Sequence, residues 1–185
     1  MLQRIGVYIC ECGPNIKDAV DIQALLEEAR GHENVVLAGS FGFLCSPEGK
    51  RFLQEDIQAH KLSRVVIAGC SPKEHEQTFR AILKRAGLNP FLLQVANIRE
   101  QCAWVVHERE AATQKARALL RGAIKRVSRH EPIEMKTIDC CADVLVVGSG
   151  VAGISAALAV ARKDRKVYLI EKEPCIGGKI GRAHV

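Results

Sequence analysis

Residues 64–80 read RVVIAGCSPKEHEQTFR, and the change of character in the middle of this stretch decides the fold. Val65, Val66 and Ile67 form a short β-branched run of the kind that suits a strand buried on both faces. Gly69 and Cys70 end it, and Ser71-Pro72-Lys73-Glu74 supplies a helix start, with Ser71 as N-cap, Pro72 at the first helical position and Glu74 at the third. A strand therefore runs straight into a capped helix, with a thiol at the junction. Residues 43–52, FLCSPEGKRF, repeat the device with Cys45, Ser46 and Pro47.

Working outward, three more apolar runs have strand character: RIGVYIC at 4–10, NVVLAGSF at 34–41 and PFLLQVAN at 90–97. Between them DIQALLEEAR (21–30), GKRFLQEDIQAH (49–60) and EHEQTFRAILKRAG (74–87) carry apolar residues three and four apart, with Gly31 and Gly87 where helices should stop. The alternation predicts an α/β fold: a four-stranded parallel sheet with flanking helices, built from βα repeats. Each strand is followed by a helix-start signal. In CECGPNIKD (10–18) Asn15 is the expected cap, and in Asn97-Ile98-Arg99-Glu100 it is Asn97. The helix after the fourth strand is expected to be unusually long, with Ile98, Cys102, Val105, Ala112, Ala116, Leu119, Ala123 and Val127 on one stripe. Pro132 stops it, which gives an N-terminal domain at 1–127, a linker at 128–141 and a second unit at 142–185.

The strands of a parallel sheet end on one edge, and ligands bind in the crevice beyond it. Cys10, Cys12, Cys45, Cys70 and, less directly, Cys102 are thereby gathered at one rim, although they are spread through the sequence. Helix N-termini stabilise anions and lower thiol pKa values, so Cys45 and Cys70 are placed as ligands of an anionic metal centre that Cys10 and Cys12 complete. An iron-sulfur cluster suits such a set. Zinc, a redox thiol pair and inert buried cysteines are the competing readings. Among the neighbours, His75 reads as a surface helix residue, Asn97 and Glu100 as capping groups, and Arg99 as a donor toward the anion. Cys102 fits the apolar stripe and reads as core, and helix packing or exposure accounts for Trp104 and His107. Cys140 and Cys141 read as structural, and Cys175 has no assigned role.

The 185 residues include eight cysteines and carry a formal charge of +6. The start, MLQRIGVYICECG, is too short in its apolar run for a signal peptide or a membrane span, so the cytoplasm is the expected compartment and disulfides are not expected. Basic residues recur through 115–130, but aromatic side chains for stacking on bases are nearly absent there, which argues against nucleic acid as a partner.

The second unit holds DVLVVGSGVAGISAALAVARKDRKVYLIEKEPCIGGKIGR at 143–182. A strand leads to Gly148-x-Gly150-x-x-Gly153, then a small-residue helix, then a strand ending at Glu171. This is the dinucleotide-binding pattern: Gly148 for the turn, Gly150 for close approach of a pyrophosphate, Gly153 for helix packing and Glu171 for a ribose hydroxyl. Such a domain needs further strands, so the segment reads as a truncated Rossmann-like βαβ unit that binds no dinucleotide tightly alone.

Taken together, CECGPNI, FLCSPEG, AGCSPKEHEQTFRAILKRAGLNP and ANIREQCAWVVHE, followed by VLVVGSGVAGISAALAVA and LIEKEPCIGGKIGR, resemble the A subunit of heterodisulfide reductase, an iron-sulfur flavoprotein of anaerobic electron-transfer complexes. The resemblance implies an N-terminal α/β domain ahead of a thioredoxin-reductase-like FAD domain. It implies FAD, in the full-length parent, at Gly148, Gly150, Gly153 and Glu171, with the Gly177-Gly178 pair typical of the flavoprotein branch. It further implies a [4Fe-4S] cluster on Cys10, Cys12, Cys45 and Cys70. The expected partners are other heterodisulfide reductase subunits and electron-donor proteins. Pairing of two copies through the long helix or by exchange of the tail is a further expectation. Turnover requires the whole parent protein, and the rival to an electron relay is a docking domain with structural zinc or inert cysteines.

Overall fold

In the computed structural model, which describes residues 3–163 and 165–182, the strand β1 (Ile5–Cys10) is the axis of the first unit, Met1–Glu134. All six of its residues are buried. With a side-chain period of two, Ile5, Val7 and Ile9 enter one core while Tyr8 and Cys10 enter the other. Both neighbours of β1 are parallel to it: β2 (Val35–Phe41) on one side and β3 (Arg64–Gly69) on the other, with β4 (Leu93–Asn97) beyond β3. The order is β2-β1-β3-β4.

Two helical layers cover the sheet. Leu25, Leu26 and Ala29 of α2 (Ile22–Arg30) share the first core with Ala116, Leu120, Ile124 and Val127 of α5 (Arg109–Val127). Leu53 and Ile57 of α3 (Pro47–Ala59) share the second with Phe79, Ile82 and Leu83 of α4 (Pro72–Arg85). Each large aliphatic side chain buried in this way contributes about 1.5–3 kcal/mol. The expected caps form at α3, where Ser46 Oγ accepts from Gly49 N at 3.0 Å, and at α4, where Ser71 Oγ accepts from Lys73 N at 3.3 Å.

Because the chain leaves β1 toward β2 on one side and reaches β3 on the other, the carboxyl ends of β1 and β3 flank a topological switch point, the usual place for a ligand crevice in such sheets. Cys10 is the last residue of β1, and Cys70 directly follows the last residue of β3.

Two expectations are corrected. The first helix, α1 (Pro14–Lys17), is a single turn whose N-cap is Gly13, not Asn15, and no side chain caps it. The long fourth helix is not continuous. A π-helical turn, Arg99–Ala103, is followed by a break, and α5 starts afresh at Arg109. In the π-turn Ala103 N donates to Ile98 O and Trp104 N to Arg99 O, the wider spacing that marks a local bulge. Ile98 and Cys102 still face the first core together with Ala112, Ala116, Ala123 and Val127, so the stripe stays in phase across the break. Val105 does not follow it and is 59% exposed.

The second unit, Met135–Val185, contains β5 (Val144–Val147), α6 (Val151–Ala161), β6 (Val167–Ile170) and the short α7 (Gly178–Arg182). β5 and β6 pair in parallel, Val144 with Val167 through Val147 with Ile170, as a Rossmann-like βαβ crossover requires. Between α5 and β5, residues 128–143 carry neither helix nor strand. Among the described residues no helix is long and apolar enough to cross a membrane.

Candidate metal centre and glycine-rich turn

One small cavity at the carboxyl edge of the first sheet is lined by Cys10, Cys12, Cys45 and Cys70, together with Arg99 and His75. Each thiol is delivered by a different local device. Cys10 ends β1, and Cys12 lies two residues on with φ +50, a left-handed conformation rare outside glycine. Cys45 precedes the Ser46 cap of α3, and Cys70 precedes the Ser71 cap of α4. The ends of β1 and β3 approach closely: a side chain at Gly69 would meet Cys10 Cβ at 3.2 Å. Among the described residues no three Cys, His, Asp or Glu side chains form a group able to hold a metal ion; the four thiols instead line a shared space.

Arg99 reaches this space from the π-turn. Its Nη1 donates to Cys12 Sγ at 3.5 Å, while Nε and Nη2 donate to Glu100 Oε1 at 3.2 and 2.7 Å. The guanidinium carbon lies 4.7 Å from the centre of the Trp104 ring, a cation–π contact. Trp104 Nε1 in turn donates to Asn15 Oδ1 at 3.2 Å, and Asn15 Nδ2 donates to Cys12 O at 3.2 Å. The network leaves the Cys12 side chain and returns to the Cys12 backbone.

The electrostatics follow from this crowding. Burial pushes the Cys70 thiol up to about 11; Arg99 pulls it down, and Glu100 and the sulfurs of Cys10 and Cys12 push it further up. Burial also raises Cys10, against the backbone amides of Leu44 and Cys12 and with the support of charge on Cys12 and Cys45. Cys10 and Cys70 thus rest as neutral thiols that must shed protons to ligate a metal. Burial works against the charge of Arg99, yet its hydrogen bonds to Cys12 and Glu100 hold its pKa above the usual range.

Sequence reasoning gathers Cys10, Cys12, Cys45 and Cys70 at one rim and aims Arg99 at them, and the structure places all five around one cavity. Cys102 is fully buried in the first core and does not line the cavity. His75, expected at the surface, is a half-buried lining residue, because the first turn of α4 folds its side chain toward Phe79. Trp104, for which ordinary packing or exposure is expected, is 53% exposed and also holds Arg99. Periodicity carries no sign of the Trp104–Asn15 link, since it joins the single-turn helix α1 to the end of the π-turn, far apart in sequence. Cys140, Cys141 and Cys175 are exposed.

In the second unit Gly148 adopts φ +97, and a side chain at Gly153 would collide with the Gly148 carbonyl. Position 150 is open, with no atom within 4 Å of where a Cβ would stand. Gly177 N donates to Ser149 O at 2.8 Å, and a side chain at Gly178 would meet Gly150 Cα at 3.1 Å, so the second glycine pair closes onto the first turn. Glu171 Oε2 accepts from Ser149 N at 2.7 Å and from Ser149 Oγ at 2.8 Å. These bonds, with the amides of Glu173 and Lys172, hold the Glu171 carboxyl down at about 2.

The family model for FAD dependent oxidoreductases matches residues 143–185. The chain is 47% identical over 180 residues to an iron-sulfur A subunit of the CoB--CoM heterodisulfide reductase of Methanopyrus kandleri, covering 97% of this chain and 27% of that protein. It is 43% identical to the corresponding iron-sulfur protein of Methanocaldococcus jannaschii, over 98% of this chain and 28% of that one. It is 46% identical to the A subunit of the Ferredoxin/F(420)H(2)-dependent CoB-CoM heterodisulfide reductase of Methanosarcina acetivorans, over 96% of this chain and 22% of that one. The chain therefore spans about a quarter of the length of these relatives, and over nearly all of its own length it is similar in sequence to heterodisulfide reductase A subunits.

Proposed function

We propose that this chain is the electron-relay portion of a heterodisulfide reductase type oxidoreductase. In this reading Cys10, Cys12, Cys45 and Cys70 hold a [4Fe-4S] cluster, and the glycine-rich turn belongs to an FAD site. The observation that carries the reading is that four thiols from three separate strand ends line one cavity, with a guanidinium donating to one of them. The donor set fits: thiolates are the usual ligands of such clusters, and hydrogen bonds to their sulfurs set the potential.

When bound, the cluster supplies one-electron exchange. The residues of the chain do the rest. The Cys45 and Cys70 sites stand at the amino ends of α3 and α4, where unpaired N–H groups favour the anionic state of the bound group. Arg99 adds a full positive charge beside Cys12. Ile67, Phe79 and Val95 form the apolar part of the wall and limit water access, which further governs potential. In the second unit Gly148, Gly150 and Gly153 would take the pyrophosphate of FAD, Glu171 a ribose hydroxyl, and Gly177 and Gly178 the closing contact over the turn.

Relatives bear names that refer to ferredoxin, F(420)H(2) and CoB-CoM heterodisulfide. By extension we assign this chain partners of the same kind, other heterodisulfide reductase subunits and electron-donor proteins, in a reducing cytoplasm where eight free cysteines persist. The test is anaerobic purification and reconstitution followed by metal and sulfide analysis. About four irons and four sulfides per chain are expected; stoichiometric zinc, or no iron after reconstitution, would refute the assignment.

A further inference from the structure

Glu100 and Arg99 are neighbours in sequence, opposite in charge and unequally placed. Arg99 Nη1 faces Cys12 Sγ at 3.5 Å, whereas Glu100 is turned onto the far side of the guanidinium through Oε1, and its Oε2 is buried without a hydrogen-bond partner. Glu100 N is fixed by Asn97 Oδ1 at 3.1 Å, and the guanidinium is fixed by the Trp104 ring at 4.7 Å. Neither charge is free to drift. Both side chains are only one-fifth to one-quarter exposed, at 19% and 26%, so solvent screens them less than it would a surface pair.

We propose that Arg99 and Glu100 form a fixed charge pair that sets the reduction potential of the centre held by the four thiols, with Arg99 raising it and Glu100 lowering it. The inference rests on the cluster assignment above and adds to it two positioning residues with opposite signs. Its physical basis is simple. One-electron reduction adds a negative charge to an already anionic centre without making or breaking a bond. A cation within hydrogen-bond distance of a ligand sulfur favours the added charge, and a carboxylate behind that cation partly cancels it. Trp104 and Asn15 act through Arg99: they hold its plane and tie it back to the Cys12 carbonyl.

The experiment is an anaerobic redox titration of the reconstituted 185-residue chain, with dithionite as the one-electron donor, mediator dyes and electron paramagnetic resonance as the readout. Wild type, Arg99→Gln, Arg99→Lys and Glu100→Gln are compared at equal iron content. Arg99→Gln is expected to disfavour reduction by at least about tenfold, a negative shift of about 59 mV for one electron. Glu100→Gln is expected to shift the potential the other way, and Arg99→Lys to fall between wild type and Arg99→Gln, since it keeps the charge and loses the planar fork. Potentials that stay put in all three variants, or that move in the same direction for Arg99→Gln and Glu100→Gln, would overturn the charge-pair proposal while leaving the cluster in place. Loss of iron from Arg99→Lys and Glu100→Gln alike would also overturn it, by making the pair merely structural. A wild-type chain with no cluster signal would overturn this proposal and the cluster assignment together.

Discussion

Gly49 lies so close to the backbone of Leu44 that a Cβ added to it would meet Leu44 Cα at 2.7 Å. The first turn of α3 is thereby pressed against the loop that carries Cys45, and the Ser46 cap closes over the same glycine through its bond from Gly49 N. A helix start and a candidate ligand are fixed by one backbone approach.

Gly49→Ala should therefore disturb both. Overpacking against backbone costs about 1–3 kcal/mol, and chemical denaturation should report a loss of that order. Iron uptake on reconstitution should fall as well, because the Cys45 loop can no longer seat. A variant as stable as wild type would contradict this packing.

Two buried or half-buried thiols separate ligation from packing. Cys70→Ser should abolish stoichiometric iron. Cys102→Ser should retain it while losing about 1–3 kcal/mol of stability, the cost of burying a hydroxyl without an assured partner. Parallel metal analysis and denaturation of the two variants check the contrast; equal iron in both would contradict it.

Acid should loosen the second unit in a defined window. The Glu171 carboxyl is held below its ordinary value of 4.5, at about 2, so the clasp on Ser149 contributes stability above the ordinary value and loses it as pH falls through that range toward the folded value. Following the Ser149 amide by NMR from about pH 6 down to about 2 should show the clasp release late. In Glu171→Gln that acid transition should be absent.

The isolated chain should not bind FAD tightly. Unit two presents a two-stranded sheet, and Leu145, Val147, Val151 and Leu158 stand more than half exposed, whereas a dinucleotide crevice needs strands on both sides of the switch point. Fluorescence titration should give a dissociation constant weaker than micromolar; a tighter one would show that the turn alone suffices.

The elements legible in the sequence are those governed by local chemistry. Ser46-Pro47 and Ser71-Pro72 announce α3 and α4, and the glycine spacing at 148–153 announces the turn before α6, because caps and positive φ depend on a few adjacent residues. The convergence of Cys10, Cys45 and Cys70 follows from parallel topology alone. Strand order is hidden, since the direction of each crossover depends on packing between distant elements. The break before α5 is hidden because Ile98 and Cys102 remain in register with Ala112 across it. Asn15 looks like a cap but serves Cys12 O and Trp104 instead, a role visible only once α1 meets the end of the π-turn.

Whether the four named sulfurs surround one iron centre is tested most directly by an iron anomalous-difference map from anaerobically grown crystals of the reconstituted chain. One compact peak is expected within bonding reach of Cys10, Cys12, Cys45 and Cys70 and nowhere else. A peak on other residues, or no iron between these four thiols, would contradict the cluster assignment.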